Sequence, residues 1–244
     1  MANFVLVHGA YQGAWVYARV ARQLRAAGHE VYIPTLTGLG ERAHLVHCGI
    51  NLDTHIQDII NVFNYENITE AILCGHSYGG MVITGVANAI GERIRSLCYI
   101  DAYAPQAGQS LFSITGADIA HAFLDQANEH GGMLPPIPAA LFNVNASDAP
   151  WVDAMSVPQP LATFVQGVGV ESVTVTQRTY IFATANGGDW LASTYARVKD
   201  DPQWQVYALA CGHAIMLDKP EELTAILLAE TAVSSVGPQA SIAQ

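Results

Sequence analysis

Residues 75–79 read Gly-His-Ser-Tyr-Gly, directly after the apolar run 71–74 and directly before the apolar run 81–87. A serine between a strand and a helix in this pattern sits on a sharp turn that lifts its hydroxyl above the end of a sheet. The chemistry open to Ser77 is acyl transfer, but its hydroxyl is a poor nucleophile until a base takes its proton. His213, flanked by Gly212 and placed after the last strand-like run, is the candidate base. Acyl transfer also needs amide donors aimed at a developing oxyanion. Tyr78 offers one at the start of a helix, where orphan N–H groups and the dipole favour negative charge. Ala10, in the stretch His8-Gly9-Ala10-Tyr11, offers the other, with Tyr11 beside it. Plainer readings exist for each: Ser77 as a turn serine, His213 as a cap, His8-Gly9 as a bend. Their co-occurrence in one chain favours the chemistry. His76 reads as a packing residue beneath the turn rather than a second base.

These residues need elements to hold them. Continuous apolar runs at 3–7, 30–34, 71–74, 96–100, 178–184 and 204–210 read as buried strands. Helical spacing marks 14–27, with Gly28 as its stop, then about 53–64, the segment from the serine turn to Ala89, 190–198, and a last helix from Pro220. Strands alternating with helices predict an α/β fold, a mainly parallel sheet covered by helices on both faces. Ligands bind such sheets outside the carboxyl ends of the strands. The loops holding Ala10, Ser77, Asp101 and His213 share that rim. Between 105 and 170 the alternation stops, and prolines stand at 105, 135, 136, 138, 150, 158 and 160. This segment is expected to be a largely helical lid inserted in a core made of 1–104 and 171–244. The tail from Val233 is read as frayed.

Composition narrows the function. The chain has 244 residues and a net charge of −11, with Lys199 and Lys219 as its only lysines, so no basic patch suits nucleic acid or an anionic membrane. No apolar stretch reaches the roughly 18 residues of a membrane span. The start lacks a basic leader, so a cytoplasmic protein is expected. Cys48, Cys74, Cys98 and Cys211 have no paired spacing, and no disulfide is expected. His44 and His47 form H-x-x-H without a further ligand, so no metal site is read there. Gly38-Leu39-Gly40 is not a phosphate cradle, because the longer glycine pattern is missing.

The stretches FVLVHGAYQGAW, GHSYGGM and GHAIMLDKPEEL, in this order and near full length, resemble the α/β-hydrolase family that includes plant methylesterases and hydroxynitrile lyases, its bacterial esterase-like branch above all. The resemblance implies an α/β-hydrolase fold and cofactor-free ester hydrolysis by a Ser–His–acid triad. Ser77, His213 and the amides of Ala10 and Tyr78 carry over. Gly9 and Ala214 stand where the lyases carry a threonine and a lysine, which argues against lyase chemistry.

The acid has two candidates. The family usually places an aspartate after the strand at 178–184, where this chain has Asn186 and, three residues on, Asp189. Asparagine cannot stabilise an imidazolium by charge. Asp101 ends the strand at 96–100, the place where haloalkane dehalogenases and some lactone-cleaving relatives put their acid. Asp101 is the preferred assignment and Asp189, which also looks like a cap for a helix beginning at Trp190, is the runner-up. Phe112, Phe123, Leu124, Trp151 and Phe164 of the lid, with Tyr11, are the expected substrate-binding residues. With no cation evident among them, the expected partner is a neutral, fairly hydrophobic small-molecule ester. Homodimerisation is compatible with the sequence. The alternatives are a non-catalytic small-molecule receptor on the same fold and a hydroxynitrile lyase-like C–C lyase.

Overall fold

All six apolar runs become strands of one sheet in the computed structural model, which describes residues 1–169 and 173–232. The strands are β1 (Asn3–Val7), β2 (Glu30–Tyr32), β3 (Ala71–Ser77), β4 (Ile94–Ala102), β7 (Arg178–Ala183) and β8 (Trp204–Leu209), in the order β2-β1-β3-β4-β7-β8. Every pairing is parallel. Residues Phe4 to Val7 and Ala71 to His76 are buried, as strands covered on both faces must be. The helices of the core are α1 (Ala18–Ala26), α2 (Leu52–Tyr65), α3 (Gly79–Ile90), α8 (Ala192–Val198), α9 (Ile215–Asp218) and α10 (Pro220–Ala229). None of the helices among the described residues is long and apolar enough to cross a membrane.

Boundaries depart from the sequence reading where tertiary pairing extends or replaces local preference. β3 runs on to Ser77 and β4 to Ala102 because these two residues pair across a register shift at His76/Ser77. Residues 14–17 form a 3-10 turn before α1 starts. The helix expected from Trp190 begins at Ala192, with Leu191 at its N-cap. Asp189 therefore does not cap it with its side chain; its backbone carbonyl receives the Ala192 amide.

Between β4 and β7 lie α4 (Leu111–Thr115), α5 (Ala117–Glu129), α6 (Ala149–Met155), α7 (Ala162–Val165) and a two-residue antiparallel pair, β5 (Met133–Leu134) with β6 (Gln159–Pro160). The segment is tied to the core by polar contacts. Arg19 of α1 donates through both terminal nitrogens to Asp148, at 2.6 and 2.7 Å. That guanidinium holds the Asp148 carboxyl below the usual carboxylate range. The expected boundary at 170/171 and the tail from Val233 lie outside the described residues.

Three histidines are buried in the core, His8, His55 and His76. His8 accepts the Leu36 amide at Nε2, so its Nδ1–H donates to the Gly9 carbonyl. His55 donates from Nε2 to the Thr37 carbonyl and accepts the Tyr78 hydroxyl at Nδ1, 2.9 Å away. The His8 and His55 rings are therefore satisfied in the neutral form, whereas His76 Nδ1 is buried without a partner among the described residues. Burial pushes His8 and His55 from 6.5 down to about 4, and moves His76 well below its ordinary value.

The unfolded chain takes up these protons below pH 6.5 and the native state refuses them until about pH 4. Stability therefore falls as pH drops through that window, by up to about 3 kcal/mol for each ring. Thermal denaturation at stepped pH values should show a steep loss of Tm between pH 6.5 and 4. A flat profile across that window would contradict the neutral assignment.

Candidate active site

Ser77 is the last residue of β3 and has φ +52°, in the left-handed region. A non-glycine residue rarely adopts this conformation, and surrounding structure must enforce it. Two neighbours do so by having no side chain. A Cβ on Gly75 would stand 2.6 Å from the Gly79 carbonyl oxygen, and one on Gly79 would stand 2.7 Å from the carbonyl oxygens of Val7 and His8. The strand, the turn and α3 approach too closely for any larger residue. This close packing turns Ser77 out of the sheet while Tyr78 opens α3 at its N-cap.

The Tyr78 side chain is fully buried and anchored by its hydroxyl bond to His55. Its backbone amide, like that of Ala10, makes no hydrogen bond to the described residues. Both residues line the same cavity as Ser77. The Tyr11 amide is committed elsewhere, to Gln159 Oε1 at 2.9 Å. Ala10 and Tyr78 thus each bring an uncommitted amide to the residues around the cavity.

His213 lies in the loop after β8, nine-tenths buried, and its amide donates to the Phe142 carbonyl at 2.9 Å. Its Nδ1 is 2.6 Å from Asp101 Oδ2. A carboxylate only accepts, so Nδ1 carries the proton and Nε2 keeps a free lone pair. Asp101 is fully buried, has φ +40°, and is held at Oδ1 by the Ala183 amide, 3.1 Å away. Its two oxygens are thus tied to the ends of β7 and β8. Ser77 Oγ makes no hydrogen bond to the described residues.

The His76 ring packs 4.5 Å from that of His213 and donates from Nε2 to the His213 carbonyl at 3.0 Å. Burial, and secondly the neighbouring His213, keep His76 neutral. It supports the loop from below, as its position suggested. Asp189 is exposed and makes no side-chain contact with His213. Asn186, at the position where the acid was first sought, is buried and accepts the Gly188 amide.

The cavity has an empty volume of about 460 Å³, mouth included. Of the expected substrate-binding residues, Tyr11, Phe123 and Phe164 line it. Three others do not. Phe112 stacks behind Phe123, ring centroids 6.0 Å apart. Leu124 follows Phe123 on α5, about 100° further round the helix, and is 43% exposed. Trp151 is 39% exposed and packs edge-on against Trp15. In their place stand Tyr103, Leu111, Phe142, Trp190 and Leu191. Tyr103 and Trp190 lie just past the ends of β4 and β7, a rim position that was available as a signal. Phe142, whose ring packs 5.0 Å from that of His213, follows a loop path with no local signature. Among the described residues no group of three His, Cys, Asp or Glu side chains could hold a metal ion.

Comparison with known proteins agrees with this architecture. Residues 4–226 match the family described as alpha/beta hydrolase. The chain belongs to that family. It is 45% identical over 242 residues to a carbendazim hydrolyzing esterase of Nocardioides sp. (strain SG-4G), covering 94% of this chain and 99% of that one. Among solved structures, an extracellular alpha/beta-hydrolase from a Paenibacillus species superposes with a TM-score of 0.82 at 21% identity, covering 94% and 99% of the two chains. A pyrethroid hydrolase superposes with a TM-score of 0.75 at 20% identity, covering 96% and 98%. These two likenesses concern the fold. The esterase relative and the family match place the chain among the carboxylesterase-type hydrolases of the family.

The close approach at Gly79 generates a test of stability. Gly79→Ala should lower stability by about 1–3 kcal/mol through overpacking, against the gain of up to about 1 kcal/mol that alanine brings to a helix. Denaturant titration measures the balance. An unchanged or raised midpoint would show that β1 and α3 have room to part.

Proposed function

We propose that the chain is a serine carboxylesterase that hydrolyses neutral, fairly hydrophobic esters through an acyl-enzyme on Ser77. The observation that carries this reading is the buried 2.6 Å bond from His213 Nδ1 to Asp101 beside the cavity that holds Ser77. The 45% identity to a carbendazim hydrolyzing esterase supports it.

In this mechanism His213 Nε2 takes the Ser77 proton as Oγ attacks the ester carbonyl. The positive charge that forms on the imidazole is stabilised by Asp101, which also holds the tautomer. The Ala10 and Tyr78 amides receive the oxyanion, a contribution on the order of 10²–10³ in turnover for each such donor. His213 then returns the proton to the leaving alcohol, and a water activated by the same ring releases the acid. No group beyond these side chains and amides is needed for either half-reaction. The cavity wall is mainly aromatic and aliphatic, and no Lys or Arg lines it. That composition suits an uncharged ester better than one with a free carboxylate.

Ser77→Ala should abolish turnover of p-nitrophenyl esters with the fold intact, and a fluorophosphonate should label the wild type at Ser77 only. Asp101→Asn should lower kcat by on the order of 10⁴, as loss of the carboxylate does in serine proteases. Asp189→Asn should stay within a few fold of wild type, because its exposed side chain makes no hydrogen bond or ion pair with the described residues. A larger loss in Asp189→Asn than in Asp101→Asn would transfer the acid role to Asp189.

A further inference from the structure

Two tyrosines whose hydroxyls the proposed mechanism does not use line the apolar cavity. Tyr11 is 5% exposed and Tyr103 is 7% exposed, and both line the cavity. The Tyr11 hydroxyl is fully buried and has no hydrogen-bond partner. The Tyr103 hydroxyl likewise makes no hydrogen bond to the described residues. Buried polar groups without partners are uncommon in proteins, and an orphan in a cavity wall points to a partner that arrives with the ligand.

Tyr11 has not drifted into this position. Its φ is +66°, and the lid clamps its backbone on both sides. Its amide donates to Gln159 Oε1 at 2.9 Å, and its carbonyl receives the Val157 amide at 2.9 Å. Gln159 is fully buried and fixed in turn by its Nε2 bond to Thr163, 2.8 Å away. The ring of Tyr11 packs edge-on against Phe164, centroids 6.2 Å apart. Backbone, side chain and neighbours thus hold the hydroxyl in one place. Tyr103 extends from the loop just past β4, two residues beyond Asp101.

Burial raises both phenols well above their ordinary values. Each is raised further by a neighbouring group, Tyr11 by Tyr103 and Tyr103 by Asp101. Both therefore remain protonated donors throughout the working pH range. A hydrocarbon packed against them would leave two buried donors unpaired. An anion would meet the field of Asp101 with no lysine or arginine in the wall to offset it.

We propose that the Tyr11 and Tyr103 hydroxyls form a polar notch that takes an uncharged hydrogen-bond acceptor on the substrate. The preferred esters then carry a ring nitrogen, ether or second carbonyl beside the scissile group, rather than plain alkyl or phenyl chains. This deepens the esterase reading and rests on it.

The test compares matched esters that differ by one acceptor: methyl benzoate against the three methyl pyridinecarboxylates, and phenyl acetate against the three pyridyl acetates. The two sets place the acceptor on the acyl and on the alcohol side. Intrinsic reactivity is common to wild type and variant, so the change in the ratio of kcat/KM isolates the contact. At least one heteroaryl ester should be favoured by wild type, and Tyr11→Phe should lower that preference by about tenfold or more. Tyr103→Phe should lower the same ratio, and the double variant should lose less than the product of the two, because both hydroxyls serve one acceptor. A parallel fall for every ester, or a preference that survives both variants, would overturn the notch while fluorophosphonate labelling of Ser77 keeps the esterase reading. Absence of both labelling and turnover would overturn both.

Discussion

The backbone conformation of Ser77 is the constraint on which the rest of the site depends. A left-handed residue at the end of a buried strand costs on the order of 1–3 kcal/mol. It persists because β3, the turn and α3 are packed on β1 so closely that Gly75 and Gly79 have no space for a side chain. Tyr11 and Asp101 also have positive φ, and both stand on the same rim. Among the described residues, three of the six non-glycine residues in this conformation therefore line the cavity or contact His213 beside it. Two of them, Ser77 and Asp101, stand at the carboxyl ends of neighbouring strands, so the sheet itself carries the strain at the rim.

Around that point the polar contacts work as an outer frame. His55 grips the Tyr78 hydroxyl, and its other nitrogen reaches the Thr37 carbonyl. Thr37 is bonded to Asp58 of α2 through both its amide and its hydroxyl, at 2.6 and 2.8 Å. On the opposite side Asp218 receives the Gly212 amide and the Asn145 amide, linking the histidine loop to the lid. Tyr78 and the loop of His213 are thus each held by groups that face away from the cavity, as a preorganised site requires.

Much of this was legible in the sequence, for a physical reason. Strands of a covered parallel sheet are short apolar runs, and their carboxyl ends define a rim before any coordinates exist. Ser77, His213, Ala10 and Asp101 all follow or end such runs, so their neighbourhood could be read from order alone. The choice between Asp101 and Asp189 was harder, since both follow strands; the structure seats Asp101 against the ring and leaves Asp189 in solvent. The lid resisted reading. Its aromatic residues are dense, but their directions depend on how short helices dock, so Trp151 and Leu124 face outward while Phe142 turns in. Tyr103 and Trp190 follow the strands β4 and β7, but irregular loops carry no periodicity that says which of their side chains face inward.

The connectivity of the sheet has a kinetic consequence. The serine and the carboxylate stand on neighbouring central strands, β3 and β4, whereas the histidine follows β8 at the sheet's edge. The bond from Asp101 to His213 closes a loop of 112 residues. Parallel sheets built from such distant pairings fold slowly, because chain entropy is lost before the contacts that repay it form. A chain with β1 to β4 docked but β8 still detached would have Ser77 and Asp101 in place without His213. Recovery of activity during refolding would consequently lag behind recovery of helix and sheet, and would mark the arrival of the last strand.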